Sequence, residues 1–198
     1  MEPRIIAIIG APGVGKSFLV EKLARFLSVE TILEDVEKIP EKIIENFKED
    51  KGHMETILWF RNKCLADLEE AIKIKEEGKS VIIDTCLLSN ELHITTMTQN
   101  FEQEILLKQA EYDRMHLDKP DIIIFLDASD EKIKELILSR GRDFDTNKKF
   151  IKRNLSIKKA HNDFYEKNKN SVIYINRDNL DFNKEEDLKE VIEKFLRD

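Results

Sequence analysis

Apolar residues fall along this chain in two rhythms. In five short stretches, Arg4–Ile9, Val29–Leu33, Ser80–Asp84, Asp121–Leu126 and Ser171–Asn176, β-branched and other apolar residues crowd together. A run such as Ile122-Ile123-Ile124-Phe125-Leu126 does not alternate with polar residues, which is the pattern of a strand covered on both faces. Between these stretches the apolar positions recur at helical spacing. They predict helices at Lys16–Leu27, about Glu55–Glu77, a stretch within Glu91–Leu117, Glu131–Ser139, about Lys148–Lys167 and Lys184–Leu196. Gly78 suits the stop of the second. Strand and helix in alternation imply βαβ units with right-handed crossovers, hence an α/β protein with a parallel sheet.

Composition narrows this picture. A chain of 198 residues with no internal repeat and no linker rich in Pro, Gly or Ser is expected to form one domain over 1–198. The net charge of −7 argues against a general nucleic-acid partner, because a phosphate polymer needs a basic face. It leaves room for a small anionic ligand in a local basic pocket. No apolar run reaches the length of a membrane span, and Ile5–Ile9 is too short for the core of a signal peptide. Cys64 and Cys86 then read as reduced thiols of a cytoplasmic protein rather than a disulfide.

The chain holds only 6 glycines, and three of them, Gly10, Gly13 and Gly15, lie within one short stretch. Glycine is costly inside regular structure, so clustering indicates a task for the backbone itself. Gly10-Ala11-Pro12-Gly13-Val14-Gly15-Lys16-Ser17 matches G-x-x-x-x-G-K-[ST] in full. It follows a buried strand and opens an amphipathic helix, which is the context that the motif requires. Such a loop points N–H groups at phosphate oxygens, and the helix adds its positive end. Lys16 is expected to reach the β- and γ-phosphates of ATP, Ser17 to ligate Mg²⁺, and Phe18 to border the nucleotide.

Two apolar strands end in a carboxylate, at Asp84 and Asp127. A helix begins near Asp130, so Asp127 or Ser129 is expected to cap it. No helix starts at once after Asp84, which is therefore the candidate for the metal or the substrate. Further on, Ser139-Arg140-Gly141-Arg142-Asp143-Phe144-Asp145 has the composition of a hinged, arginine-bearing lid, placed at about 139–148.

These residues together resemble the deoxynucleoside kinase family of P-loop phosphotransferases. The likeness extends from Ile5 to about Phe182 and is most specific in "KPDIIIFLDASDEKIKELILSRGRDFD", 119–145, and in "NLDF", 179–182. The resemblance implies a P-loop kinase fold with a five-stranded parallel sheet in the order 2-3-1-4-5, flanked by helices. It implies that ATP, with Mg²⁺, gives its γ-phosphate to the 5′-hydroxyl of a (deoxy)nucleoside. Glu34, where the family's second strand ends, is implied as the general base; Asp35 stands in place of a family proline. Arg140 and Arg142 would stabilise the transferring group, and Asp145 would contact the sugar or the metal. Asp178 and Phe182 would border the adenine. Asn90 stands where many members carry an Asp that contacts the base, and Thr56 and Lys63 come nearest to two further base-reading positions. Trp59 and Phe60 could line an aromatic slot for the base, or belong to the core. Pairing of the long helices in a homodimer is a family habit, sought here on Lys63–Ile74 or Ile94–Leu107.

Three departures bear on function. Thr85 and Leu136 replace family arginines, and Asn90 replaces the base-contacting acid. A thymidylate or other nucleoside monophosphate kinase shares the P-loop and lid. A nucleotide-binding regulator with degraded acceptor chemistry would also keep the P-loop. The missing arginine at Thr85 counts against an acceptor that already carries a phosphate. Cys86 and His161 carry no expected role beyond structure.

Overall fold

A computed structural model describes residues 2–34, 38–140 and 148–196. Five strands, β1 (Ile5–Ile9), β2 (Glu30–Ile32), β3 (Val81–Asp84), β4 (Ile122–Asp127) and β5 (Ile173–Asn176), form one sheet in the order β2-β3-β1-β4-β5. Every pairing is parallel. The order and the parallel direction are those expected. Among the described residues eight α-helices surround the sheet: α1 (Lys16–Leu27), α2 (Glu41–Glu49), α3 (His53–Glu76), α4 (Leu87–Met97), α5 (Asn100–His116), α6 (Asp130–Arg140), α7 (Lys148–Lys167) and α8 (Glu185–Leu196).

The non-alternating runs have the expected cause. Successive side chains of β1 enter opposite layers, and both layers are dry. Ile6 and Ile8 pack with Leu19, Val20 and Leu23 of α1 and with Val191 of α8, whereas Ile5, Ala7 and Ile9 pack with Ala71 of α3 and Phe125 of β4. A third cluster, Ile57, Ile94, Met97, Leu106 and Ile157, joins α3, α4, α5 and α7 away from the sheet.

Three boundaries differ from expectation. α2 was not foreseen: Glu41–Glu49 is short and charge-rich, and of its side chains only Ile43 and Asn46 are buried. The stretch expected within Glu91–Leu117 is two helices broken at Thr98 and Gln99, where Thr98 Oγ1 donates back to the Ile94 carbonyl at 2.8 Å. The first opens already at Leu87, three residues after Asp84, so the expectation that no helix follows Asp84 at once does not hold. β5 starts at Ile173 because residues Lys169–Ser171 form a 3₁₀ turn. Gly78 follows α3 at φ +85, a left-handed stop as expected.

Candidate active site

β1 ends at Ile9, and the chain turns through residues 10–15 before Lys16 opens α1. Gly10 passes so close to the end of β4 that a β-carbon would lie 2.2 Å from the Leu126 carbonyl oxygen. α1 begins with neither a capping side chain nor an acid in its first turn, so its positive end faces the loop uncompensated. Lys16 Nζ donates to the carbonyls of Gly10 at 3.2 Å and Ala11 at 3.4 Å, which folds this side chain across the loop.

Parallel pairing sets Asp84 opposite Ile8, at the level where the phosphate loop leaves the sheet. There Ser17 Oγ donates to Asp84 Oδ2. Asp84 is 2% exposed, and its Oδ1 has no hydrogen-bond partner among the described residues. A buried carboxylate oxygen beside a hydroxyl offers the hard oxygen donors that Mg²⁺ takes, with phosphate and water completing the shell. The next residue, Thr85, holds φ +82, with its N–H bonded to the Ile8 carbonyl at 3.0 Å. A left-handed β-branched residue costs about 1–3 kcal/mol, and here that turn leads the chain from Asp84 into the site.

From the loop a cavity of about 320 Å³ runs between α3, α4 and α7. Lys16, Ser17 and Phe18 line one end, and Glu34, just past β2, and Arg140, at the end of α6, also border it. Phe60 and Asn90 line it as well. The expected residues Pro12, Gly13, Gly15, Lys16, Ser17, Phe18, Glu34, Phe60, Asn90 and Arg140 are thus brought to one space. Arg142 and Asp145 lie outside the described residues, as does Asp35.

Four of the expected site residues make other contacts in the described structure. On α3 the inward face is Thr56, Ile57, Phe60 and Cys64, so Trp59 and Lys63 turn away at 100° per residue. The Trp59 ring packs edge-on against Phe60 with centroids 4.7 Å apart, and Lys63 pairs with Asp67 instead. Phe182 is fully buried in the core with Leu188 and Val191, so its ring offers no surface to a nucleotide. Asp178 uses Oδ1 to accept the Ser129 N–H at 2.7 Å, which ties the loop after β5 to the start of α6. Of the two candidate caps for α6, Ser129 serves: its Oγ accepts the Lys132 N–H at 3.2 Å.

Other residues of the site escaped the sequence reading. Phe47 of α2, His93 of α4, and Phe150, Arg153 and Asn154 of α7 all line the cavity. The buried atoms His93 Nε2, Arg153 Nη2 and Asn154 Nδ2 have no hydrogen-bond partner among the described residues. Arg153 is anchored through Nη1 to Asp50 at 3.0 Å and lies over the Phe47 and Phe150 rings at 5.4 and 5.1 Å. A signal did exist: Phe150, Asn154, Ile157 and His161 form the inward stripe of α7, and two polar residues interrupt it. His161 is satisfied, with Nε2 3.1 Å from Ser89 Oγ and Nδ1 3.0 Å from the Ile157 carbonyl. Burial pushes its pKa down to about 4 and holds that of His93 well below the usual value, with His161 and Lys16 adding to the effect on His93. Cys64 and Cys86 are free and buried; burial pushes the Cys86 thiol up to about 11 and Cys64 higher still, so neither is a nucleophile near neutrality.

A phosphate loop, an acid at the end of the neighbouring strand and an arginine at the rim of a shared cavity define a P-loop phosphotransferase acting on a small acceptor. The chain matches the deoxynucleoside kinase family over residues 6–197 and belongs to it: it is an ATP-dependent nucleoside kinase. A deoxyadenosine/deoxycytidine kinase of Bacillus subtilis is 29% identical over 147 residues, 71% of this chain and 67% of that protein. The fold is that of M. mycoides deoxyadenosine kinase. Its structure with dATP superposes with a TM-score of 0.81 at 19% identity, covering 97% of this chain and 99% of the other. Its structure with dCMP and dCDP gives 0.79 at 20% identity, covering 98% and 100%. Thymidylate kinase from Candida albicans shares the fold more distantly, with a TM-score of 0.72 at 17% identity over 98% of this chain and 93% of the other.

Proposed function

We propose that this kinase moves the γ-phosphate of ATP to the 5′-hydroxyl of a (deoxy)nucleoside, with Glu34 as general base. The supporting observation is the single cavity that joins Lys16 and Ser17 to Glu34 and Arg140. The N–H groups of residues 13–17 and the Lys16 ammonium hold the phosphates. Ser17 and Asp84 would hold Mg²⁺, which would supply neutralisation of phosphate charge there. Glu34 takes the proton of the attacking hydroxyl, and Arg140, at the end of α6, stabilises the charge on the group in transit, with Arg142 expected to join it.

The acceptor binds between Phe60 and the polar edge formed by Asn90, His93, Arg153 and Asn154, and the unpartnered groups of the last three supply hydrogen bonds to it. M. mycoides deoxyadenosine kinase, of the same fold, is known with dATP and dCTP bound, which supports a nucleotide in this space. A homodimer belongs to this reading. Phe101, Ile105, Tyr112 and Met115 stand exposed along one face of α5 and suit a second copy. The cytoplasm suits the buried free thiols. No helix among the described residues is long and apolar enough to cross a membrane.

A coupled assay over nucleosides and nucleoside monophosphates with ATP-Mg²⁺ tests the acceptor. A nucleoside monophosphate as product is expected. A diphosphate product moves the enzyme to the thymidylate kinase type, and ATP binding without any acceptor turnover makes it a regulator.

A further inference from the structure

Arg177, the first residue after β5, is 8% exposed, and nothing in the sequence marked it. Its N–H donates to the Asp127 carbonyl at 2.8 Å, which fixes its backbone to the end of β4. From there the side chain reaches the phosphate loop, and Nη1 donates to the Val14 carbonyl. The approach is so close that a β-carbon on Gly15 would lie 1.5 Å from Nη1. Gly15 is favoured by its left-handed φ of +93, and a side chain there would have to displace this guanidinium. The guanidinium lies 4.9 Å from the Phe182 ring centroid and 6.0 Å from that of Phe18. Its Nε is buried without a partner among the described residues, and Asp181 and Glu135 supply opposite charge nearby.

Drawing an arginine out of water is expensive, and a well-packed apolar side chain of similar size often serves stability as well or better. Packing alone is thus a weak reason for an arginine here. The Val14 carbonyl belongs to the same peptide group as the Gly15 N–H. A charged donor on that carbonyl polarises the peptide and strengthens its N–H as a donor on the other side.

We infer that Arg177 is a positioning residue of the phosphate cradle: it holds the Val14–Gly15 peptide, sharpens the Gly15 N–H toward a phosphate oxygen, and couples the loop after β5 to the phosphate loop. Arg177 itself touches the peptide rather than the substrate. The inference rests on the triphosphate reading of the loop, but it does not depend on which acceptor is phosphorylated.

The test is ATP-Mg²⁺ binding by calorimetry without acceptor, for wild type, Arg177→Met and Arg177→Lys, beside melting temperatures and steady-state kinetics. Arg177→Met removes the donor and keeps an unbranched side chain. It is expected to lose about tenfold or more in ATP affinity, as a hydrogen bond from a charged group is worth. The KM for the acceptor stays unchanged, and Arg177→Lys recovers part of the ATP affinity. A folded Arg177→Met that binds ATP as wild type does, whatever its melting temperature, overturns the inference. Failure of both variants to fold also overturns it, since Arg177 is then a core residue only. Wild type that does not bind ATP refutes the triphosphate reading instead.

Discussion

The two ends of the cavity are built by different means. The phosphate end is one continuous stretch, residues 10–17, and it works chiefly through backbone N–H groups. In the proposed reading the acceptor end is assembled from Glu34 after β2, Phe60 on α3, Asn90 and His93 on α4, and Arg153 and Asn154 on α7, all of which line the cavity. Backbone recognition needs glycine and a particular turn, so it leaves a contiguous trace. Side-chain recognition needs only that distant residues meet, so each contact can be supplied by another residue type. Of the three departures from the family pattern, Thr85 and Asn90 line the cavity, whereas Leu136 lies on α6, one turn before Arg140.

The contrast can be broken most directly at the phosphate end. Lys16→Ala removes a charge whose Nζ bonds two loop carbonyls among the described residues, so the fold should persist. Turnover should fall by about 10³-fold, as for the loss of a principal transition-state donor. Near-normal turnover in a coupled assay would refute the phosphate assignment.

Glu34→Gln comes next, because it keeps the shape and removes the base. kcat should drop about 10²-fold while ATP and nucleoside still bind. Asp35→Asn, measured in parallel, should change kcat little. Equal and small effects of the two would make Glu34 an ordinary surface acid.

Asn154→Leu sharpens the contrast. It removes a buried amide whose Nδ2 has no partner among the described residues, so stability should hold or rise. The KM for the nucleoside should increase about tenfold while the KM for ATP does not move. A parallel rise in both constants would mean that the two ends are not separable.

The smallest effect concerns pH and the wall behind the acceptor. Burial is the main cause of the low pKa of His161, about 4 against 6.5 in the open chain, so the native state stays neutral where the unfolded chain takes up a proton. The stability that His161 contributes is whole above pH 6.5 and is lost as pH falls toward 4, by about 2 kcal/mol near pH 5. Burial acts on His93 in the same direction. Urea midpoints between pH 7 and pH 5 should fall in wild type and fall less in His161→Phe. Identical slopes would place His161 in water.

Much of this protein is carried by local sequence. β1, β3 and β4 are apolar without alternation because both faces of the sheet are covered, and that pattern alone indicates parallel strands. The phosphate loop is legible because its chemistry lies in eight consecutive residues whose backbone does the binding. α2 was not legible: its nine residues are mostly charged, and it is held by its packing on α3 rather than by its own pattern. The orientation of α3 was not legible either. Helical spacing gives a face but not its partner, so only the packing of α3 against α4 decides that Phe60 meets the cavity while Trp59 and Lys63 leave it. Tertiary structure alone likewise brings Arg177 against Val14, 163 residues away, and sets Asn154 and Glu34 around one space. The physical reason is the same in each case. Periodicity and backbone motifs are properties of neighbours in the chain, whereas a side-chain site is a property of neighbours in space.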